Sequence, residues 1–106
     1  MDTLKVLTRE EALSLVRRYK QVITPRFHEE PQVYMFGSYS KGVPNPLSDI
    51  DVAVVVPTLK GKDWLEQSAD LWHDVQSVSL LIEPVLMARD EDTLLYRDVI
   101  RTGVAV

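Results

Sequence analysis

Two stretches decide the fold: Gln32-Val33-Tyr34-Met35-Phe36-Gly37-Ser38-Tyr39-Ser40-Lys41-Gly42 and, further on, Ser48-Asp49-Ile50-Asp51-Val52-Ala53-Val54-Val55-Val56. Residues 32–36 are rich in β-formers and stop at Gly37, which predicts a strand. The loop from Gly37 to Ser48 holds two Gly and two Pro, with room for one helical turn near Ser38–Lys41. Asp49 to Val56 predicts a second strand, ended by Pro57. Its near-continuous apolar tail implies burial on both faces. Side chains at i and i+2 of a strand share a face, so Asp49 and Asp51 project together, about 6–7 Å apart along the chain.

Outward from this centre, helix and strand signals alternate. Thr8-Arg9-Glu10-Glu11 is a capping-box pattern ahead of apolar residues at three- and four-residue spacing, from Ala12 to Ile23. That spacing predicts an amphipathic helix over residues 9–22, with Arg17, Arg18 and Lys20 outside. Residues 61–77 return to helical spacing, with Trp64, Leu65, Leu71, Trp72 and Val75 on one side; core packing is the expected role of both tryptophans. Val78 to Met87 predicts a third strand, in which Pro84 marks an edge, a bulge or an end. Asp90 to Thr102 predicts a last helix with Leu94, Leu95, Val99, and with them Tyr96 and Ile100, inward. Gly103 stands where a C′ glycine would, and Val104-Ala105-Val106 adds a short strand. The expected architecture is a single α/β (α+β) domain over residues 1–106, a small mixed β-sheet with helices packed on it.

Composition limits what such a domain can do. The 106 residues are 45% hydrophobic and 26% charged, with 12 Lys and Arg against 16 Asp and Glu, a net charge of −4. That is too apolar for disorder and suits one core. With no Cys, disulfides and thiolate metal sites are excluded. No apolar run approaches the ~20 residues that span a bilayer, and no signal-peptide core is visible, so a cytoplasmic, non-membrane protein is expected. The acidic balance argues against a nucleic-acid footprint.

The chemistry-bearing residues lie where the two opening stretches meet. Paired carboxylates repel unless a cation sits between them, and Mg²⁺ takes a few carboxylate oxygens together with phosphate oxygens and water. Asp-x-Asp alone is also what a solvated strand start looks like. Gly37-Ser38 adds a backbone that a phosphate can approach, with free amides and a hydroxyl; an ordinary strand-ending turn would use the same residues. Ten residues between Ser38 and Asp49 are enough to bring the two strands side by side. Glu83 stands in the apolar run from Leu80 to Leu86, where a carboxylate is costly unless paired or metal-bound. It faces water on an edge strand, or it completes a three-carboxylate cluster for two metal ions. Lys41 is a further candidate phosphate contact, though a solvated loop lysine would look the same, while Tyr39 and Ser40 are expected to serve the turn. His28 and His73 show no ligand spacing.

Gly37-Ser38, ten residues, Asp49-Ile50-Asp51, a helix, then a strand carrying Glu83: this pattern resembles the nucleotidyltransferase superfamily related to DNA polymerase β. The short chain resembles its minimal nucleotidyltransferase (MNT) group. The resemblance implies a palm-like nucleotidyltransferase fold and transfer of a nucleoside monophosphate from ATP or another nucleoside triphosphate to a hydroxyl. It implies that Asp49, Asp51 and Glu83 hold two Mg²⁺ ions as the catalytic set, and that Gly37 and Ser38 hold the leaving phosphates. It further implies a helical partner of the HEPN type, toward which such chains act as antitoxins, some by adenylylating the partner's tyrosine. The small size implies that a second chain, or self-association, completes the acceptor site. Two other readings remain open at this point: neutralisation of the partner by occlusion without catalysis, and nucleotide addition to RNA or a small molecule.

Overall fold

The computed structural model describes residues 6–42, 44 and 49–106. The capping box forms as the sequence predicts: the Thr8 hydroxyl accepts from the Glu11 amide and the Glu11 carboxylate accepts from the Thr8 amide. It starts helix α1, Arg9–Ile23, which buries Ala12, Leu13, Val16, Tyr19 and Ile23. Val22, counted with the apolar stripe, is exposed instead. After a 3-10 turn at Thr24–Arg26 come strand β1, Gln32–Phe36, and the single-turn helix α2, Ser38–Lys41. Strand β2, Ile50–Val56, leads through α3, Trp64–Val75, to strand β3, Ile82–Ala88. Helix α4, Leu94–Thr102, and the short strand β4, Val104–Ala105, complete the order.

The four strands form one mixed sheet in the order β3-β2-β1-β4. β1 is antiparallel to β2 and β4; β2 and β3 are parallel, joined by the α3 crossover. Side-chain alternation divides the sheet into two faces. On one face Val33, Met35, Ile50, Val52, Val54, Ile82 and Leu86 pack against α1 and α3 in the main core. On the other, Ala53, Val55 and Met87 pack against Val99 of α4, with Tyr34, Phe36, Val85 and Tyr96 partly buried around them. β2 is covered on both faces from Val52 to Val56, as its apolar tail predicts.

Polar ties fix the helices. The Tyr19 hydroxyl in α1 donates to the Leu71 carbonyl in α3 at 2.7 Å, and burial pushes its pKa well above the usual phenol value. Arg26 donates two bonds to the buried Asp74 of α3, at 2.5 and 2.8 Å. Asp74 therefore takes a core-facing position that hydropathy spacing does not offer to a carboxylate.

Several expectations need correction. Trp64 and Trp72 are not core residues: they are 50% and 49% exposed, because α3 is seated by Leu71, Asp74 and Val75. Leu94, Leu95 and Ile100 also face outward, and Val99 alone is buried in the short α4. β3 begins at Ile82 rather than Val78, since residues 76–81 make turns closed by the Ser79 amide on the Val75 carbonyl and the Ile82 amide on Ser79. Gly103 is an extended cap residue at φ −75° rather than a left-handed one; its need is steric, since a Cβ would meet the Val99 carbonyl oxygen at 2.5 Å.

Candidate active site

The sheet register assembles the predicted carboxylates. Asp51 pairs with Glu83 across the parallel β2–β3 ladder and with Phe36 across β1–β2. Phe36, Asp51 and Glu83 thus form one row on the α4 face, with neighbouring backbones about 4.8 Å apart. Asp49 lies just before β2, exposed, and its carboxyl is near enough to Glu83 to perturb it. Partial burial first, then the neighbouring Asp49 carboxyl, then the Asp51 charge hold the Glu83 carboxyl above its ordinary value. Asp51 is raised as well, by burial first and then by the charge of Asp49. Asp51 and Glu83 therefore both respond to the Asp49 charge.

β3 is an edge strand, and its phase explains Pro84. The Leu81 carbonyl accepts from Ile50 and the Arg89 amide donates to Val56, so odd-numbered positions from 81 to 89 bond to β2. Pro84 falls on the outward side, where its missing N–H breaks no ladder bond. Glu83 is thereby locked to β2 beside Asp51, although its strand is the sheet's edge.

Gly37 joins the turn to this row. It takes φ +75° and ψ −150°, a region open essentially to glycine alone. A Cβ there would stand 2.1 Å from the Asp51 Oδ2. The strand-Gly-Ser turn is therefore pressed directly against the second aspartate. Ser38, half-buried, opens α2; Tyr39 is buried in the main core, and the Ser40 hydroxyl donates to the Gly37 carbonyl at 3.1 Å. Lys41 is exposed at the end of α2, where Gly42 at φ +77° closes the turn. Ser48, the start of the predicted acidic stretch, lies outside the described residues. Phe36 was not predicted as part of the site; its alternation with Tyr34 and the neighbouring Gly37 were the available signals.

A divalent cation fits this donor set. Three carboxylates gather on one face, two with protonation favoured by burial first and by neighbouring negative charge second, and oxygen ligands of this kind suit Mg²⁺. Among the described residues no group of three or more His, Cys, Asp and Glu stands ready-made around a metal position. Cavities of about 360, 400 and 460 Å³ lie elsewhere on the molecule.

Comparison with known proteins agrees with this geometry. The family described as "Nucleotidyltransferase domain" matches residues 16–101. A Methanocaldococcus jannaschii protein named "Putative protein adenylyltransferase MJ0141" is 28% identical over 100 residues, 91% of this chain and 99% of that one. Among solved structures, "a putative nucleotidyltransferase from Sulfolobus solfataricus" superposes with a TM-score of 0.65 at 18% identity, covering 98% of this chain and 90% of the other. A variant of the toxin-antitoxin pair MntA–HpeT superposes at a TM-score of 0.55 and 25% identity, covering 95% and 72% of the two chains. Among the described residues no helix is long and apolar enough to cross a membrane. The match spans most of the chain and includes the Gly37-Ser38 turn, the Asp49-Ile50-Asp51 strand start and the Glu83 strand: the chain belongs to the nucleotidyltransferase domain family and is a nucleotidyltransferase of the minimal type.

Proposed function

We propose that the protein transfers AMP from ATP, or the corresponding group from another nucleoside triphosphate, to a hydroxyl of a partner protein, acting as the antitoxin toward a helical HEPN-type toxin. The observation that carries this reading is the Asp51–Glu83 register, with Asp49 close enough to raise the Glu83 carboxyl. It gives a carboxylate set on an open face, able to receive both a triphosphate and a large acceptor. The kinship with a protein named for protein adenylylation and with an MntA–HpeT pair supports the acceptor class.

In this reading Asp49, Asp51 and Glu83 hold two Mg²⁺ ions, which when bound stabilise the attacking and leaving oxygens of an in-line displacement. Asp51 is fixed by its ladder position and by Gly37, so the nucleotide's α-phosphate is placed against a rigid strand. The Gly37 amide, the Ser38 hydroxyl and Lys41 hold the β- and γ-phosphates. Glu83 accepts the proton of the acceptor hydroxyl as the acceptor oxygen bonds to the α-phosphorus. The bond to the bridging oxygen breaks and pyrophosphate leaves. The raised Glu83 carboxyl suits a group that must take up a proton.

The test is label transfer from α-labelled ATP with Mg²⁺ to the protein encoded beside this one, read by mass spectrometry. A mass gain of one AMP on a partner hydroxyl, lost in Asp49→Ala and Asp51→Ala, is the expected result. Unlabelled partner with every nucleoside triphosphate would overturn the reading. Full neutralisation by an Asp49→Asn/Asp51→Asn double variant would instead favour occlusion.

A further inference from the structure

We propose that the outer flank of α3 is a twofold contact through which two copies of this chain pair, their α3 helices antiparallel. The inference goes beyond the transfer reading and stands without it.

α3 has three sides. Leu71 and Val75 seat it on the sheet. On one flank Asp70 and Asp74 pair with Arg26, and the Tyr19 hydroxyl of α1 reaches the Leu71 carbonyl. The other flank carries Leu65, Ser68, Ala69 and Trp72, the i, i+3, i+4, i+7 spacing of a stripe that packs. Yet Leu65 is 73% and Trp72 49% exposed, and Trp64 beside them on the first turn is 50% exposed. No charge interrupts this stripe, because Glu66, Asp70 and His73 lie around the helix from it. A fully buried tryptophan hides about 150–250 Å². Two half-exposed ones with Leu65 therefore leave about 300 Å² of apolar surface uncovered, a patch of interface size.

The pattern names the occupant. Along the helix the stripe runs large, small, small, large, and it reads the same backwards. In a twofold contact, if residue i meets residue j, then j meets i. An antiparallel copy crossing between Ser68 and Ala69 satisfies this. The two small residues let the backbones approach at the crossing, and Leu65 of each copy packs on Trp72 of the other. An unrelated helix would impose no such symmetry on the stripe. Charge agrees with it: Lys60 and Lys62 lead into α3, and the ion pairs among the described residues use neither. The crossing brings them to the C-terminal end of the other α3, the negative end of its dipole. α3 runs from the end of β2 back to the start of β3. Antiparallel helices thus hold the two Asp51–Glu83 rows at opposite ends of the pair, each free to face an acceptor of its own.

With its polar rim the contact stays below about 1,200 Å² in total, the range of weak, reversible association. The test is sedimentation velocity of the full chain, without nucleotide or metal, from about 1 to 200 µM, where contacts of this size dissociate. The sedimentation coefficient should climb from monomer toward dimer across that range. Both tryptophans of the chain lie in α3, so their emission should shift to the blue over the same concentrations. Leu65→Glu, at an exposed position, should weaken pairing at least about tenfold and leave the urea midpoint of the dilute chain unchanged. The chain has no Cys, so single cysteines report the arrangement. With a short thiol cross-linker, Ala69→Cys should give a covalent dimer. Gln76→Cys, remote from its own image, and Glu66→Cys, on the opposite flank, should not. A chain that stays monomeric to about 200 µM would overturn the proposal. So would a dimer indifferent to Leu65→Glu, or one cross-linked through Gln76→Cys or Glu66→Cys, since it would use another face or parallel helices. Failure of label transfer leaves these results untouched, and the converse holds as well.

Discussion

Replacing Gly37 by Ala tests the contact on which the site's geometry depends. Two costs are superposed there. The backbone, at φ +75° and ψ −150°, lies where a side chain is strained by about 1–3 kcal/mol. The new methyl would also meet the Asp51 Oδ2 at 2.1 Å, with Cγ at 3.1 Å, so the carboxylate must leave its place, a clash worth about 1–3 kcal/mol. Gly42 separates the two: its φ is +77° but a Cβ there meets nothing within 4 Å. Gly42→Ala should therefore show only a left-handed backbone cost, about 1–2 kcal/mol. Gly37→Ala should lose about 2–6 kcal/mol in urea unfolding, with Tm falling by about 4–8 °C for each kcal/mol. In an Asp51→Ala background the clash disappears, so the Gly37→Ala penalty should shrink by about 1 kcal/mol or more. Equal losses for Gly37→Ala and Gly42→Ala, or a penalty indifferent to Asp51, would refute the argument. Transfer activity should drop about a hundredfold, because a shift of about 1 Å in a positioning group costs that much.

Other outcomes follow from the same geometry. Asp51 and Glu83 keep their protons to higher pH folded than unfolded, so the metal-free fold loses stability as pH rises from their ordinary values of 3.8 and 4.5 through the raised ones. Asp51→Asn should accordingly raise the metal-free Tm at pH 7 and leave it unchanged near pH 3, while abolishing transfer. Arg26→Ala leaves Asp74, whose side chain is 8% exposed, without its two-bond partner and should cost about 2–4 kcal/mol in chemical denaturation; Arg26→Met with Asp74→Leu should cost less. Gly103→Ala drives a methyl into the Val99 carbonyl and should cost about 1–3 kcal/mol, loosening β4, seen as faster exchange of the Val106 amide that donates to Val33.

The strands around the site were legible because each carries its own local signal. Tyr34 to Phe36 stops at a glycine, Asp49 to Val56 is polar at one end and apolar at the other, and Pro84 announces an edge. Spacing alone also put Asp49 and Asp51 on one face. What no local pattern contains is register: that Glu83 meets Asp51 rather than Ala53 is decided by β2–β3 pairing over 32 positions of chain. Helix faces were legible in phase but not in depth. The phase of α3 placed Leu71 and Val75 inward, yet Trp64, on the first turn, and Trp72 stay half-exposed, because Leu71, Asp74 and Val75 seat the helix. Asp74 was invisible as a core residue because its partner, Arg26, lies 48 positions away. Leu94 and Leu95 misled for a similar reason, since a nine-residue helix crossing one sheet face buries little beyond Val99.

The placement of Asp51 and Glu83 on two parallel strands bears on how the protein comes to be active at all. Parallel neighbours cannot meet through a hairpin; the chain must first complete the α3 crossover and seat it. Such long-range pairing carries a loop-closure cost and is slow to form relative to local turns and helices. A nascent chain with α1 and the β1–β2 hairpin already made would own Asp49, Asp51 and the Gly37 turn and still lack Glu83. Its carboxylates become a set only once β3 pairs with β2. Any cation or nucleotide that prefers the complete set then adds its binding free energy to the folded state alone. On the proposed reading, the carboxylate set is complete only once β2 and β3 have paired.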